Sequence, residues 1–133
     1  MPNRVFCDTQ ALIFWALQPR RLSRNGKSAL ESAIEGRYLG CSDIVLWEIS
    51  MLCAKGRIHP GTDPESFLSD LIKSSMVDIF PITPSIAVLS QSSHFSHGDP
   101  ADRLIAATAM EHQSPLITAD EKLRQIPGLQ VIW

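Results

Sequence analysis

Short apolar segments alternate with longer helical segments along this chain, and the alternation constrains the fold more than any other feature. Strands are predicted at residues 4–7, 37–41, 77–82, 115–118 and 129–133. Helices are predicted between them at residues 11–17, 23–36, 44–55, 62–75, 83–93, 99–113 and 121–125. Strands separated by helices predict a parallel sheet covered on both faces. We therefore expect a three-layer α/β/α fold with a central, mainly parallel sheet of four to five strands.

The length and composition are those of a small globular protein. The 133 residues fit one domain spanning 1–133, and 44% of them are apolar. Three cysteines without a Cys-x-x-Cys pair predict buried thiols rather than a disulfide framework or a zinc site. The first residues lack the apolar stretch of a signal peptide. We expect a cytoplasmic protein.

The charge balance gives little sign of a nucleic-acid partner. Lys and Arg total 12 and Asp and Glu total 14, so the net charge is −2 and no strong positive field surrounds the chain. A polyanion would have to meet a local basic patch or bound metal ions. The densest basic cluster consists of Arg20, Arg21, Arg24 and Lys27. This cluster is equally well explained as an RNA phosphate-binding patch and as a solvated helix face.

Glu48 is the most informative single residue, because its helix has almost no polar face. Its neighbours at i−4 and i+4, Ile44 and Leu52, are apolar, and Lys55 is the polar residue on its stripe. The alternative without a function is that the Glu48 side chain reaches solvent or pairs with Lys55. An isolated buried carboxylate costs several kcal/mol, so a metal or functional site explains Glu48 better.

Asp99 and Asp102 stand at the beginning of the predicted helix 99–113. Asp99 followed by Pro100 is a typical N-cap, and an acid in the first turn interacts favourably with the helix dipole. Asp102, however, shares its stripe with Ile105 and small alanines, which predicts that it faces the protein interior. We assign Asp102 to a functional site and Asp99 to capping with an auxiliary role.

Asp8 and Asp120 follow the first and fourth predicted strands. Either could simply cap the helix that comes after it. The carboxyl ends of parallel strands meet at one edge of the sheet, however, where ligand sites form in α/β folds. Capping alone does not explain why two strand-end acids and the interior-facing Glu48 and Asp102 should meet at that edge.

A carboxylate cluster of this kind favours a bound cation. Two carboxylates about 4.5 Å apart repel by roughly 4 kcal/mol at an effective dielectric constant near 20. Without a positive partner some of them would be driven to bind protons. Oxygen ligands without a histidine–cysteine set suit Mg²⁺ or Mn²⁺ rather than zinc. Such an ion can neutralise a phosphate and lower the pKa of a bound water, which suits phosphodiester hydrolysis.

Four segments of the chain resemble those of PIN-domain ribonucleases, in particular the VapC-type toxins of toxin–antitoxin systems. They read VFCDTQAL at residues 5–12, SDIVLWEI at 42–49, HGDPADRLIAA at 97–107 and LITAD at 116–120. The resemblance implies a PIN-like fold and a Mg²⁺- or Mn²⁺-dependent endoribonuclease that hydrolyses RNA. It also implies a homodimer and a cognate antitoxin as partners.

The same resemblance assigns roles to individual residues. The catalytic and metal-binding acids would be Asp8, Glu48, Asp102 and Asp120. Thr118 and Thr9 would be auxiliary polar groups, with Asp99. Close relatives often carry His where Gln10 stands and Phe where Ala101 stands. Because neither departure replaces an acid, they bear on substrate preference rather than on catalysis.

Three other readings stay open at this point. A dehalogenase-type phosphatase expects a second Asp two residues after the first, where Gln10 stands. A receiver-like domain expects paired early acids and a Lys in a late strand, and residues 129–133 contain no Lys. A PIN-like module could also bind RNA or a partner protein without cleaving RNA.

Overall fold

The computed structural model describes residues 4–93, 95 and 98–133 of the chain. The strands of the described part are β1 (Val5–Cys7), β2 (Leu39–Ser42), β3 (Asp78–Phe80), β4 (Leu116–Ile117) and β5 (Val131–Ile132). Its helices are α1 (Thr9–Leu17), α2 (Arg24–Gly36), α3 (Ile44–Ala54), α4 (Pro64–Ser75), α5 (Pro84–Leu89), α6 (Pro100–Glu111) and α7 (Glu121–Arg124), with a short 3₁₀ helix at Pro19–Arg21.

The five strands form one parallel sheet in the order β3-β2-β1-β4-β5. The chain therefore builds outward from β1 to β2 and β3 on one side, then returns to place β4 and β5 on the other. All three residues of β1 are buried, although successive side chains of a strand point to opposite faces. Helices must cover both faces, so the predicted α/β/α fold is confirmed.

Several strands and helices are shorter in the structure than the sequence predicts. The predicted strands at residues 115–118 and 129–133 shorten to two residues each, and β5 pairs only with β4 among the described strands. The helix predicted over 83–93 ends at Leu89, where Ser90 turns its hydroxyl back to the carbonyl of Ala87 at 2.7 Å. Such a local side-chain bond competes with helix continuation.

The helices α2 and α3 keep their predicted bounds to within one residue, and local contacts define their ends. The left-handed residue after α2 is Arg37, with φ of 59°, rather than Gly36, which is still helical. Asp43 precedes α3 but does not cap it with its side chain, because its Oδ2 accepts from the backbone N–H of Ile82 at 3.3 Å. Ser42 supplies a hydroxyl oxygen to the N–H of Ile44 at 3.3 Å instead.

Other expectations were confirmed or lie outside the described residues. Cys7 and Cys41 are buried thiols and Cys53 is half-buried. Among the described helices, none combines the length and apolarity needed to cross a bilayer. His97, the first residue of the third resembling segment, lies outside the described residues. The assignment of residues 1–133 to a single domain stays a prediction.

Candidate active site

The site lies between β1 and β4, where the order of the strands across the sheet reverses. The connection from β1 leads to β2 on one side and the connection from β4 leads to β5 on the other, so a crevice is left between the carboxyl ends of β1 and β4. In open α/β sheets this switch point is the usual place for a ligand. Asp8 follows β1 directly, and Asp120 lies three residues beyond the end of β4.

A cavity of about 780 Å³ opens at this point and is rich in acids. Its wall includes five carboxylates, those of Asp8, Glu48, Asp99, Asp102 and Asp120. The four acids predicted to be catalytic and the predicted auxiliary Asp99 thus line one cavity. They come from the ends of two strands and from two helices, α3 and α6.

Asp8 is the most deeply placed of these acids, with 5% of its surface exposed. One carboxylate oxygen caps α1 by accepting from the N–H of Ala11 at 2.8 Å, and the other accepts from the hydroxyl of Thr118. The pKa of Asp8 is raised from 3.8 to about 6, mainly by burial and to a smaller extent by the charges of Asp120 and Glu48, while the two hydrogen bonds act to lower it. Asp8 is therefore both a helix cap and a wall of the cavity.

Thr118 connects the two strand-end acids. Its fully buried hydroxyl donates to Asp8, and the same oxygen accepts from the backbone N–H of Asp120 at 3.0 Å. Asp120 in turn caps α7 by accepting from the N–H of Lys122 at 2.8 Å. Thr118 thereby fixes the end of β4 relative to the end of β1.

Glu48 stands half-buried on α3 and accepts a hydrogen bond from the hydroxyl of Thr9. Burial raises the pKa of Glu48, and the charge of Asp99 adds to the effect. The alternative partner Lys55 is not used: the ion pairs among residues 4–93, 95 and 98–133 are Arg4–Asp78 and Lys27–Glu31. Glu48 therefore belongs to the cavity rather than to a surface ion pair.

Asp99 and Asp102 enter the cavity from the first turn of α6. Asp99 caps the helix by accepting from the N–H groups of Ala101 at 2.9 Å and Asp102 at 3.2 Å. The predicted capping role of Asp99 is confirmed, and Asp99 also lines the cavity. Asp102, expected to face the interior, is half-buried at the cavity wall.

The basic residues at the cavity differ from those singled out in the sequence. Of the predicted RNA-binding cluster, Arg21 lines the cavity, whereas Arg20, Arg24 and Lys27 are exposed elsewhere. Arg57 and His59, from the loop after α3, also line it and were missed. That loop has no periodic pattern, so only its position after a helix that carries Glu48 could have pointed to it.

The chain matches the family model of the PIN domain over residues 5–129. It belongs to the PIN domain family. Membership in that family excludes the dehalogenase-type phosphatase. The sheet itself argues against a receiver-like domain, whose strand order 2-1-3-4-5 places β1 between β2 and β3.

Two relatives of this PIN domain match it over nearly their whole length. The protein called Ribonuclease VapC22 of Mycobacterium tuberculosis is 37% identical over 132 residues, covering 97% of this chain and 98% of that protein. A toxin–antitoxin complex from Klebsiella pneumoniae contains a chain 26% identical to this one, with a TM-score of 0.62 over 96% of this chain and 95% of that chain.

A further structural likeness concerns the fold alone. VapBC2 from Rickettsia felis, bound to a DNA fragment from its promoter, contains a chain with a TM-score of 0.70 and 18% identity. The superposition covers 96% of each chain. The PIN-like fold predicted from the sequence is therefore confirmed.

The donor set of the cavity fits a divalent metal ion, which the PIN ribonuclease family implies. The donors are carboxylate oxygens, which suit hard cations. Burial raises the pKa values of Asp8 and Glu48, and a cation beside them would favour their ionised forms. Within the described residues no three acidic, His or Cys side chains lie close enough to hold an ion directly as they stand. Mg²⁺ is suited to such a spread site, because it keeps several waters and takes one or two carboxylates.

Proposed function

We propose that this PIN domain protein is a metal-dependent endoribonuclease and the toxin component of a type II toxin–antitoxin pair. The observation that carries the proposal is the meeting of five carboxylates in one cavity, at the switch point of the sheet. The near full-length likeness to a protein called a ribonuclease supports the reaction. The likeness to a chain of a toxin–antitoxin complex supports an antitoxin as partner.

Mg²⁺ or Mn²⁺ would be held by Asp8, Glu48, Asp102 and Asp120, directly or through water. When bound, such an ion supplies Lewis acidity toward a phosphodiester and makes water a stronger nucleophile at neutral pH. The residues of this chain supply the charge and the position. Asp8 is held in one orientation by two hydrogen bonds, so little reorganisation is needed on binding.

The threonines and the apolar wall have supporting roles. Thr118 and Thr9 donate to Asp8 and Glu48, which leaves the remaining carboxylate lone pairs for other ligands. Such partners typically orient metal-binding carboxylates. Apolar side chains form another part of the cavity wall: Ile13, Phe14, Leu17, Leu52 and Ile58.

The direct test uses purified protein, RNA and metal. The full chain is incubated with total RNA and Mg²⁺ or Mn²⁺, with EDTA, and as Asp8→Asn. Asp70→Asn, an exposed acid on α4 outside the acidic cavity, is the matched control. We expect cleavage by the wild type and Asp70→Asn that stops with EDTA and in Asp8→Asn.

The outcomes separate the remaining readings. Cleavage that survives EDTA, or full activity of a folded Asp8→Asn protein, would refute the metal-dependent reaction. RNA binding without cleavage in the presence of either metal would favour the non-cleaving PIN module. The homodimer and the cytoplasmic location stay predictions.

A further inference from the structure

The acidic cavity also carries positive charge that the acids do not use. Arg21 comes from the 3₁₀ helix after α1, and Arg57 comes from the loop after α3. Both side chains are exposed, and neither takes part in the ion pairs found among the described residues. Two separate segments thus place an arginine each at the wall of a cavity dominated by carboxylates.

The charge balance of the cavity explains why such groups are needed. Five carboxylates against two guanidinium groups leave a net charge of −3 when all are ionised. A divalent cation would bring this to −1, whereas the same five carboxylates with the cation but without the two guanidinium groups would keep −3. A substrate with several phosphates can approach only if its phosphates next to the reacting one meet cations of the protein.

The cavity is also too large for a metal ion alone. A Mg²⁺ or Mn²⁺ ion with its octahedral shell of about six oxygen ligands fills a minor part of the 780 Å³. The remaining wall combines apolar side chains with Gln10, Gln18, Arg57 and His59. Apolar surface beside guanidinium donors suits the sugar, base and phosphate of a flexible nucleic-acid strand.

Arg21 is held in place before any ligand arrives. Its guanidinium lies over the ring of Phe14, 4.4 Å from the centroid, and donates to the side-chain oxygen of Gln18 at 3.2 Å. Phe14 and Gln18 line the same cavity. A guanidinium fixed on an aromatic ring loses less side-chain entropy when it binds a phosphate.

We infer that Arg21 and Arg57 form a phosphate-binding rim, which holds the RNA phosphates flanking the scissile one. This inference rests on the proposed ribonuclease function. The two arginines act by positioning substrate and do not contact the reacting bond. Removing either should therefore weaken substrate binding while leaving the chemical step almost unchanged.

The test measures steady-state cleavage of a fluorescent single-stranded oligoribonucleotide by the full chain with Mn²⁺. The variants are Arg21→Met and Arg57→Met, which keep much of the apolar stem, and the control is Arg124→Met, an exposed arginine outside the cavity. We expect KM to rise roughly tenfold in each rim variant, with kcat within about twofold. Arg124→Met should change neither constant by more than about twofold.

A second measurement keeps the inference testable if no RNA is cleaved. Binding of the same oligoribonucleotide to Asp8→Asn protein is followed by fluorescence anisotropy against KCl concentration. Each rim substitution should reduce the slope of log K against log salt by about 0.7, the value for one single-strand phosphate contact. Arg124→Met should leave the slope unchanged.

The two failures are distinguishable. Wild-type protein that binds RNA but never cleaves it would refute the proposed function. The salt dependence of RNA binding by the variants would still show whether Arg21 and Arg57 contact phosphates. Rim variants with unchanged KM and unchanged slope, or with losses no larger than those of Arg124→Met, would overturn the inference. A fall in kcat at unchanged KM would overturn it as well, because the arginines would then act in the reaction itself.

Discussion

The acidic cavity has a strand side and a helix side, and the two hold their carboxylates differently. Asp8, on the strand side, is 5% exposed, is fixed by two hydrogen bonds, and has its pKa raised to about 6. Glu48, on the helix side, is half-buried and accepts one hydrogen bond from Thr9. Asp8 is thus the preorganised carboxylate of the strand side, and Glu48 is the adaptable carboxylate of the helix side.

This difference has a structural cause. Asp8 follows the central strand of the sheet, so the register with β2 and β4 fixes its backbone. Glu48 projects from α3 on a longer side chain with more rotatable bonds, and its position depends on how that side chain is held. We expect substitutions on the strand side to cost more than matched substitutions on the helix side.

The largest effect is expected for Asp8→Asn. The amide keeps the shape and the cap acceptor but loses the negative charge at the deepest point of the cavity. RNA cleavage with Mn²⁺ should fall about 1,000-fold, or about 4 kcal/mol of transition-state stabilisation. Initial rates on one oligoribonucleotide measure this. Activity within tenfold of wild type would show that the strand side does not dominate.

The next effect concerns the pH dependence of stability in metal-free protein. Because the pKa of Asp8 is raised in the folded state from 3.8 to about 6, the folded protein keeps a proton that the unfolded chain has already lost. Stability from this group is therefore full below pH 4 and is lost as pH rises to about 6. A shift of about two pKa units corresponds to about 3 kcal/mol.

Urea unfolding of wild-type and Asp8→Asn protein with EDTA, between pH 3.5 and 7.5, isolates that contribution. The difference in the free energy of unfolding between the two proteins should change in favour of Asp8→Asn as pH rises through this window. A difference that stays constant, or changes the other way, would contradict the buried state of Asp8.

Glu48→Gln should reduce cleavage less than Asp8→Asn does. Glutamine keeps an oxygen that can accept from Thr9, and the helix side has room to adjust. We expect about a 30-fold fall, or about 2 kcal/mol, against no change in Asp70→Asn. If Glu48→Gln proved as damaging as Asp8→Asn, the two sides would be equally rigid and the comparison would fail.

The smallest effects should come from the threonines. Thr118→Val removes a fully buried hydroxyl that serves Asp8 and the N–H of Asp120, and should lower the free energy of unfolding by about 1–2 kcal/mol. Thr9→Val removes the donor to the half-buried Glu48 and should cost about 0.5–1 kcal/mol. Thermal and urea unfolding of the two variants compare them directly; equal losses would count against the distinction.

The acids on the strand side of the site could be predicted from the sequence. Asp8 and Asp120 follow strands, and the carboxyl ends of parallel strands meet at one edge whatever their order. Glu48 was recognisable because an acid is conspicuous on an apolar helix. Capping and cavity lining turned out to be compatible, since Asp8, Asp99 and Asp120 do both.

The basic residues of the cavity and the ends of the strands were harder to predict from the sequence. Four basic residues close together at positions 20–27 suggested one patch, but the 3₁₀ helix turns Arg21 alone into the cavity wall. Arg57 lies nine residues after Glu48, in a loop that no periodicity describes. The lengths of β4 and β5 depend on tertiary pairing at the edge of the sheet, which local sequence does not encode.

We propose that these carboxylates form one site for a divalent cation, and metal-dependent stabilisation of the protein tests this most directly. The melting temperature of the full chain is measured against Mn²⁺ concentration for wild type, Asp8→Asn and Asp70→Asn. At a metal concentration about 100 times Kd, binding should add about 2.7 kcal/mol to the stability of wild type and Asp70→Asn, and Asp8→Asn should lose most of this gain. Equal Mn²⁺ stabilisation of all three proteins, or none in folded wild type, would contradict the account.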